Sequence, residues 1–184
     1  MFRVFAASIA LALALATLSG CRKRESGPED AFYEMQAAVK AKDGARVWRL
    51  LATQTRYYFD NMAKEAKGVA GDPAQAKPWM VFLGCTQAEL AGIDGQKVVE
   101  FHMRTIDRSD DQHNHFQVIR DVKTVYEIVN KLTKADGKMS RGDGKGYELI
   151  TFEFEDRMWK VEFEQVPSNP GWLRHFQGPK REGF

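Results

Sequence analysis

The stretch LITFEFEDRMWKVEF, residues 149–163, constrains the fold more than any other part of the chain. Ile150, Phe152 and Phe154 alternate with Thr151, Glu153 and Glu155, and Trp159, Val161 and Phe163 alternate with Lys160, Glu162 and Glu164. Period-2 alternation on both sides of a short polar break predicts an antiparallel hairpin with one apolar face. A two-residue turn at Asp156-Arg157 sets Phe154 opposite Trp159, Phe152 opposite Val161 and Ile150 opposite Phe163. The same register pairs Glu153 with Lys160 on the other face, an opposite-charge pair. A slip of one residue would turn every apolar side chain outward, so the register is strongly specified. Asp-Arg is a poor sequence for a type I′ turn, which leaves a wider tip open. Glu153, Glu155, Glu162 and Glu164 read as one solvated acidic face.

Upstream of the hairpin the pattern is helical. Ser26-Gly27-Pro28-Glu29 reads as a capping box with proline in the first turn, ahead of Phe32, Met35, Ala38 and Val39 at helical spacing. Lys42-Asp43-Gly44 ends that helix. A short helix with Val47, Trp48, Leu50 and Leu51 follows. Thr53 or Thr55 is expected to cap a third helix, with Tyr58, Phe59, Met62 and Ala66. Residues 68–78 read as a break rich in Gly, Ala and Pro, before the apolar run Trp79 to Leu83. Thr86-Gln87-Ala88-Glu89 is a second capping box, and Asp94 is placed to cap a helix through Val98, Val99, Phe101 and His102. Residues 116–119 and 123–129 are rich in β-branched and aromatic residues and are expected to be strands. TKADGKMSRGDGKG, residues 133–146, reads as a long Gly-rich loop. Helices first and an antiparallel sheet of about four strands after them predict an α+β fold.

The N-terminus carries an address. Arg3 precedes an apolar run from Val4 to about Leu18, too short for a comfortable membrane span of roughly 20 residues but suited to an export signal. It ends in Leu18-Ser19-Gly20-Cys21, which resembles the lipobox of bacterial lipoproteins. That resemblance implies cleavage before Cys21, acylation of its thiol and anchorage to a membrane, with residues 1–20 as signal peptide and 21–27 as lipidated cysteine and tether. Each buried CH₂ of an acyl chain contributes about 0.8 kcal/mol, so two or more chains anchor stably. Arg22-Lys23-Arg24 reads as a polar tether. By the same resemblance Arg22, standing where an aspartate would retain the protein in the inner membrane, implies the outer membrane of a Gram-negative cell.

DAFYEMQAAVKAKDGARVWRLLATQTR, residues 30–56, resembles the helical opening of NTF2-like domains, and FEDRMWKVEF, residues 154–163, resembles their closing hairpin. LGCTQAELAGIDGQKVVEFHM, residues 83–103, is similar to an extra helical stretch in lipoprotein relatives. The resemblance implies a cone in which a curved sheet wraps around helices over residues 28–166, with 167–184 as a C-terminal tail in which Trp172 and Phe176 are candidates to pin it to the body. It also implies an apolar hollow, for which Tyr33, Trp48, Tyr58, Asp60 and His102 are the candidate lining residues. No position aligns with the acid/base residues of the family's isomerases and dehydratases.

Charge is nearly balanced, 27 Lys and Arg against 25 Asp and Glu. That does not favour nucleic acid as a partner, since polyanion binding usually needs a basic excess. Of the two cysteines, Cys85 follows a strongly apolar run and reads as a structural thiol rather than a nucleophile. His113 and His115, in DDQHNHF, are the residues best suited to hold a zinc-like metal, with Asp110 and Asp111 close by. Arg141-Gly142-Asp143 reads as a chance tripeptide. No catalytic residue and no cofactor is assigned. The expected function is a lipid-anchored, non-enzymatic envelope module that binds a small apolar ligand or an envelope protein. The alternative is a small-molecule isomerase, dehydratase or hydrolase, for which Asp60 and His102 are the acid/base candidates.

Overall fold

The computed structural model describes residues 26–107, 115–140 and 147–163. Within them the chain is α+β, with seven helices followed by a four-stranded antiparallel sheet. The helices are α1 (Pro28–Lys40), α2 (Gly44–Leu50), α3 (Thr53–Val69), α4 (Pro73–Leu83), α5 (Gln87–Ala91), α6 (Gly95–Thr105) and α7 (His115–Asp121). The strands β1 (Val125–Lys131), β2 (Lys134–Ser140), β3 (Tyr147–Glu155) and β4 (Met158–Glu162) form a meander in sequence order. Leu18, Ser19, Gly20, Cys21, His113, the Arg141-Gly142-Asp143 tripeptide, Glu164 and the tail from 167 onward lie outside the described residues.

The final hairpin has the register its alternation demands. Phe154 pairs with Trp159, Glu153 with Lys160 and Phe152 with Val161. The tip is the tight two-residue turn, with Asp156 and Arg157 at φ 52° and 64°. Both are in the left-handed region that a type I′ turn requires, although neither is glycine. Val125, Ala135, Met139, Ile150, Phe152 and Val161 are buried on one face of the sheet. Helix α1 contacts both edge strands, β1 and β4, and so spans this inner face with Phe32, Met35 and Val39 buried. Full burial of side chains of this size contributes about 1.5–3 kcal/mol each. Past the free edge of β4, Leu51 forms a parallel bridge with Val161, and the Ala52 amide donates to the Val161 carbonyl at 2.8 Å.

Several sequence expectations are corrected. Residues 116–119 are helical, within α7, because Phe116 and Ile119 reach the core at i, i+3 spacing. The carbonyls of Ile119 and Val122, near and just past the end of α7, accept hydrogen bonds from Gln36 of α1 at 2.9 and 2.7 Å, which removes the need for a sheet partner. The expected loop at 133–146 contains strand β2, whose buried positions are Ala135, Gly137 and Met139. Small residues hid its alternation. Gly137 fits because a Cβ there would stand only 3.2–3.5 Å from Val125, Ile128 and Ile150. The break at 68–78 shrinks to residues 70–72, since Asp72 caps α4 and Pro73 opens it at a position where no amide is needed. Pro78 sits inside α4. The N-cap of α1 is Gly27, whose amide donates to Asp30 at 2.9 Å, one residue later than the box expected at Ser26. The capping box at Thr86–Glu89 and the cap at Asp94 form as expected.

Candidate functional site

Four helices carry the candidate pocket residues. Trp48 is on α2, Tyr58 and Asp60 on α3, and His102 on α6, while Tyr33 is on α1. Gly95, the first residue of α6, brings two of them together. A Cβ there would collide with the Asp60 carboxyl and come 2.8 Å from the Trp48 ring. Gly44 does the same for α2, where a Cβ would stand 2.6 Å from the Glu100 backbone. Close contact between α6 and its two neighbours therefore depends on residues without side chains.

His102 belongs to the opposite end of α6. It lies seven residues beyond Gly95, about 10 Å of helical rise. Its ring is buried, 5.4 Å edge-on from Phe82 of α4 and 6.3 Å from Phe59 of α3. Burial pushes its pKa down to about 4, so the imidazole is neutral at neutral pH. Tyr58 is half-buried against Phe59, and burial, with the nearby charge of Glu65, pushes its hydroxyl up to about 12. Tyr33 is 39% exposed, beside Phe32. The five candidates thus separate into Trp48 with Asp60 at one end of α6, His102 and Tyr58 around Phe59, and Tyr33 on the surface.

Cys85 is half-buried just beyond α4. Burial, then the charge of Glu89, raises its pKa, which disfavours the thiolate and agrees with a structural role. Of His115 only the backbone is described, as the first residue of α7. Among the described residues no group of three or more His, Cys, Asp or Glu is placed to hold a metal ion.

A second cluster lies where the sequence predicted a solvated face. Lys160 is 3% exposed and Glu162 is 6% exposed, both on the outer face of the sheet, away from α1. The Lys160 ammonium donates to Asp156 at 2.5 Å and to Glu155 at 3.4 Å. Glu155 also accepts from the Thr53 amide, at 3.0 and 3.1 Å, and from the Thr53 hydroxyl at 2.8 Å. The Arg56 guanidinium stands 3.7 Å from Glu155 and 6.0 Å from the centre of the Trp48 ring, in cation–π range. Burial alone would raise the pKa of Glu155. The hydrogen bonds from Thr53 and the charge of Lys160 outweigh it and hold the carboxyl below its usual range. At Glu153 the charge of Lys134 does not offset burial and the charge of Glu162, and the pKa is raised.

This arrangement corrects two expectations. Neither Thr53 nor Thr55 caps α3. The N-cap is Ala52, which has no side-chain acceptor, and Glu155 supplies one from the hairpin tip. The Thr55 hydroxyl instead accepts from the Phe163 amide at 2.8 Å. An uncapped helix start is the signal that could have exposed the partnership, since its free amides need an acceptor from elsewhere in the chain. Chemically the cluster is a clasp of fixed charges that joins the start of α3 to the last hairpin.

Among the described residues no helix is long and apolar enough to cross a membrane. Comparison with known protein families, with curated proteins and with solved structures finds no match to this chain.

Proposed function

We propose that the chain is a bacterial envelope lipoprotein, anchored through an acylated Cys21, whose α+β domain is a cone of the NTF2-like kind and works as a non-enzymatic binding or interaction module. Leu18-Ser19-Gly20-Cys21 at the close of an apolar run supports the anchor. The start of α1 at Pro28, seven residues past Cys21, leaves a short basic tether between lipid and domain. Absence of an aspartate at position 22 supports the outer membrane as its destination.

One observation carries the non-enzymatic reading: Asp60 and His102 lie at opposite ends of α6, and the His102 ring is enclosed by Phe59 and Phe82. An isomerase, dehydratase or hydrolase built on these two groups would need both within hydrogen-bond reach of one substrate. Their separation opposes that alternative.

Expression in a Gram-negative host with labelled palmitate tests the anchor. The wild-type chain is expected to take up label and enter the detergent phase on phase separation. Cys21→Ser is expected to lose the label and remain as unprocessed precursor. Equal labelling of the two chains would refute it. Native mass spectrometry of the folded chain, set against its denatured mass, then reads out any bound apolar ligand, and cross-linking in intact envelopes reads out a protein partner.

A further inference from the structure

Among the described residues, the most exposed large apolar side chain sits where the backbone suits it least. Leu132 is 97% exposed, and its φ of 57° lies in the left-handed region, which disfavours a residue with a Cβ. It is the first residue of the two-residue turn between Lys131 and Lys134, which pair across β1 and β2. Glycine or asparagine would fill such a position without strain and without exposing apolar surface. Neither backbone conformation nor burial favours leucine here. Backbone outliers of this kind cluster at functional sites, where a local rule is broken for the sake of binding.

The neighbours of Leu132 extend its apolar surface. The meander brings the β1–β2 and β3–β4 turns to the same end of the sheet. The Phe154 amide donates to the Thr133 carbonyl at 2.7 Å, which ties the first turn to β3. Phe154 is 42% exposed, and its ring stands 5.4 Å from that of the half-buried Trp159. The two pair across β3 and β4 in the next row of the inner face beyond the buried Phe152 and Val161. The apolar face therefore runs past the core and out to this end. Opposite charges are matched beside it: Lys131 pairs with Asp136 at 2.8 Å and Lys134 with Glu162 at 3.1 Å.

We infer that this end of the sheet is a membrane contact, with Leu132, Phe154 and Trp159 entering the interfacial layer of a lipid bilayer. A stable protein interface buries about 800 Å² on each partner. One protruding leucine with two part-exposed rings is far smaller, and it suits a layer that accepts an apolar tip and holds aromatic rings at headgroup level. The aliphatic stems of Lys131 and Lys134 can follow the tip inward while their ammonium groups stay among the headgroups. With the nearby charges matched, apolar insertion rather than attraction to anionic lipid supplies the binding. The inference rests on the envelope reading, which supplies the bilayer. Pro28 is seven residues past Cys21, at most about 25 Å of chain, so the anchored domain stays within reach of the surface and a modest contact is enough to orient it.

Tryptophan quenching tests the contact on the full chain, purified from its host and reconstituted in phosphatidylcholine vesicles with plain or brominated acyl chains. Brominated lipid should quench the wild type more than Trp159→Phe, and the difference is the share owed to Trp159. Leu132→Gly is expected to weaken docking about tenfold, the contribution of one buried leucine, and so to remove most of that share. The same substitution should leave stability in urea unchanged or raised, because glycine suits the turn, whereas a merely structural leucine would be missed. Val81→Ser, at a 76% exposed position on α4, should leave the quenching as it is. Absence of a Trp159 share in the wild type, or a share that survives Leu132→Gly, would overturn the inference. Loss of the share in Val81→Ser instead would overturn it by moving the contact to α4. Dimers that Leu132→Gly abolishes, in a chain whose Trp159 is not quenched, would overturn it by assigning this end to a second copy. Palmitate labelling of the same preparation separates the two readings. A labelled chain with unquenched Trp159 removes the membrane contact alone, and an unlabelled chain with quenched Trp159 removes the anchor alone.

Discussion

Two regions of this molecule bury polar side chains, and they do so by opposite means. At the α3–α4–α6 junction His102 is enclosed by Phe59 and Phe82 and gives up its charge. At the corner where α3 meets the last hairpin, Lys160 and Glu155 keep their charges and share them with Thr53, Arg56 and Asp156. Both solutions avoid the cost of an isolated buried ion, which is several kcal/mol. The difference lies in what breaks each. The first fails when a proton is forced on it, the second when a partner is removed.

Removing a partner should have the largest effect. Lys160→Ala leaves Glu155 without its buried counter-charge and is expected to cost about 4 kcal/mol, the range for a broken buried pair. Urea denaturation measures it, and a loss below about 1 kcal/mol would show the corner to be as wet as an ordinary surface ion pair.

Acid should come next. The folded pKa of His102 lies below that of the unfolded chain, so its contribution is fully present above pH 6.5 and is lost as pH falls toward about 4. Over that window the loss is about 3 kcal/mol, at about 1.4 kcal/mol for each pH unit. Glu155 is also lowered, from its ordinary value of 4.5, so its contribution is lost only at lower pH. Stability curves at pH 7 and pH 4.5 should therefore differ in the wild type and nearly coincide in His102→Leu. A wild-type curve flat across this window would place His102 in water.

Gly95→Ala should cost about 2 kcal/mol, the usual penalty for overpacking, because the new methyl collides with Asp60 and Trp48. The displaced Trp48 should shift the tryptophan emission, a change that neither Lys160→Ala nor acid shares as its main signature. The smallest expected effect is a gain. Arg157→Gly relieves a left-handed residue at the hairpin tip and should stabilise the chain by about 1 kcal/mol in the same denaturation assay.

Legibility followed the range of the forces involved. The last hairpin could be read to the residue because its alternation and its turn are local, and the same holds for the caps at Thr86 and Asp94. Strand β2 escaped because Ala135 and Gly137 carry too little apolar surface to mark a buried face. Helix α7 escaped because its end is secured by Gln36, more than eighty residues away. Among the site residues, the approach of Trp48 to Asp60 depends on an absent side chain at Gly95, which no motif announces.

By itself the sequence determined what periodicity and local chemistry can determine: helices before strands, two helix caps, and an antiparallel hairpin in one register. Only the tertiary structure decided which side chains share a neighbourhood. Whether His102 is neutral, whether Lys160 is dry, and whether Glu155 caps a helix depend on groups that the chain brings together from far apart. Desolvation and ion pairing act over a few ångströms of space and take no account of distance along the sequence.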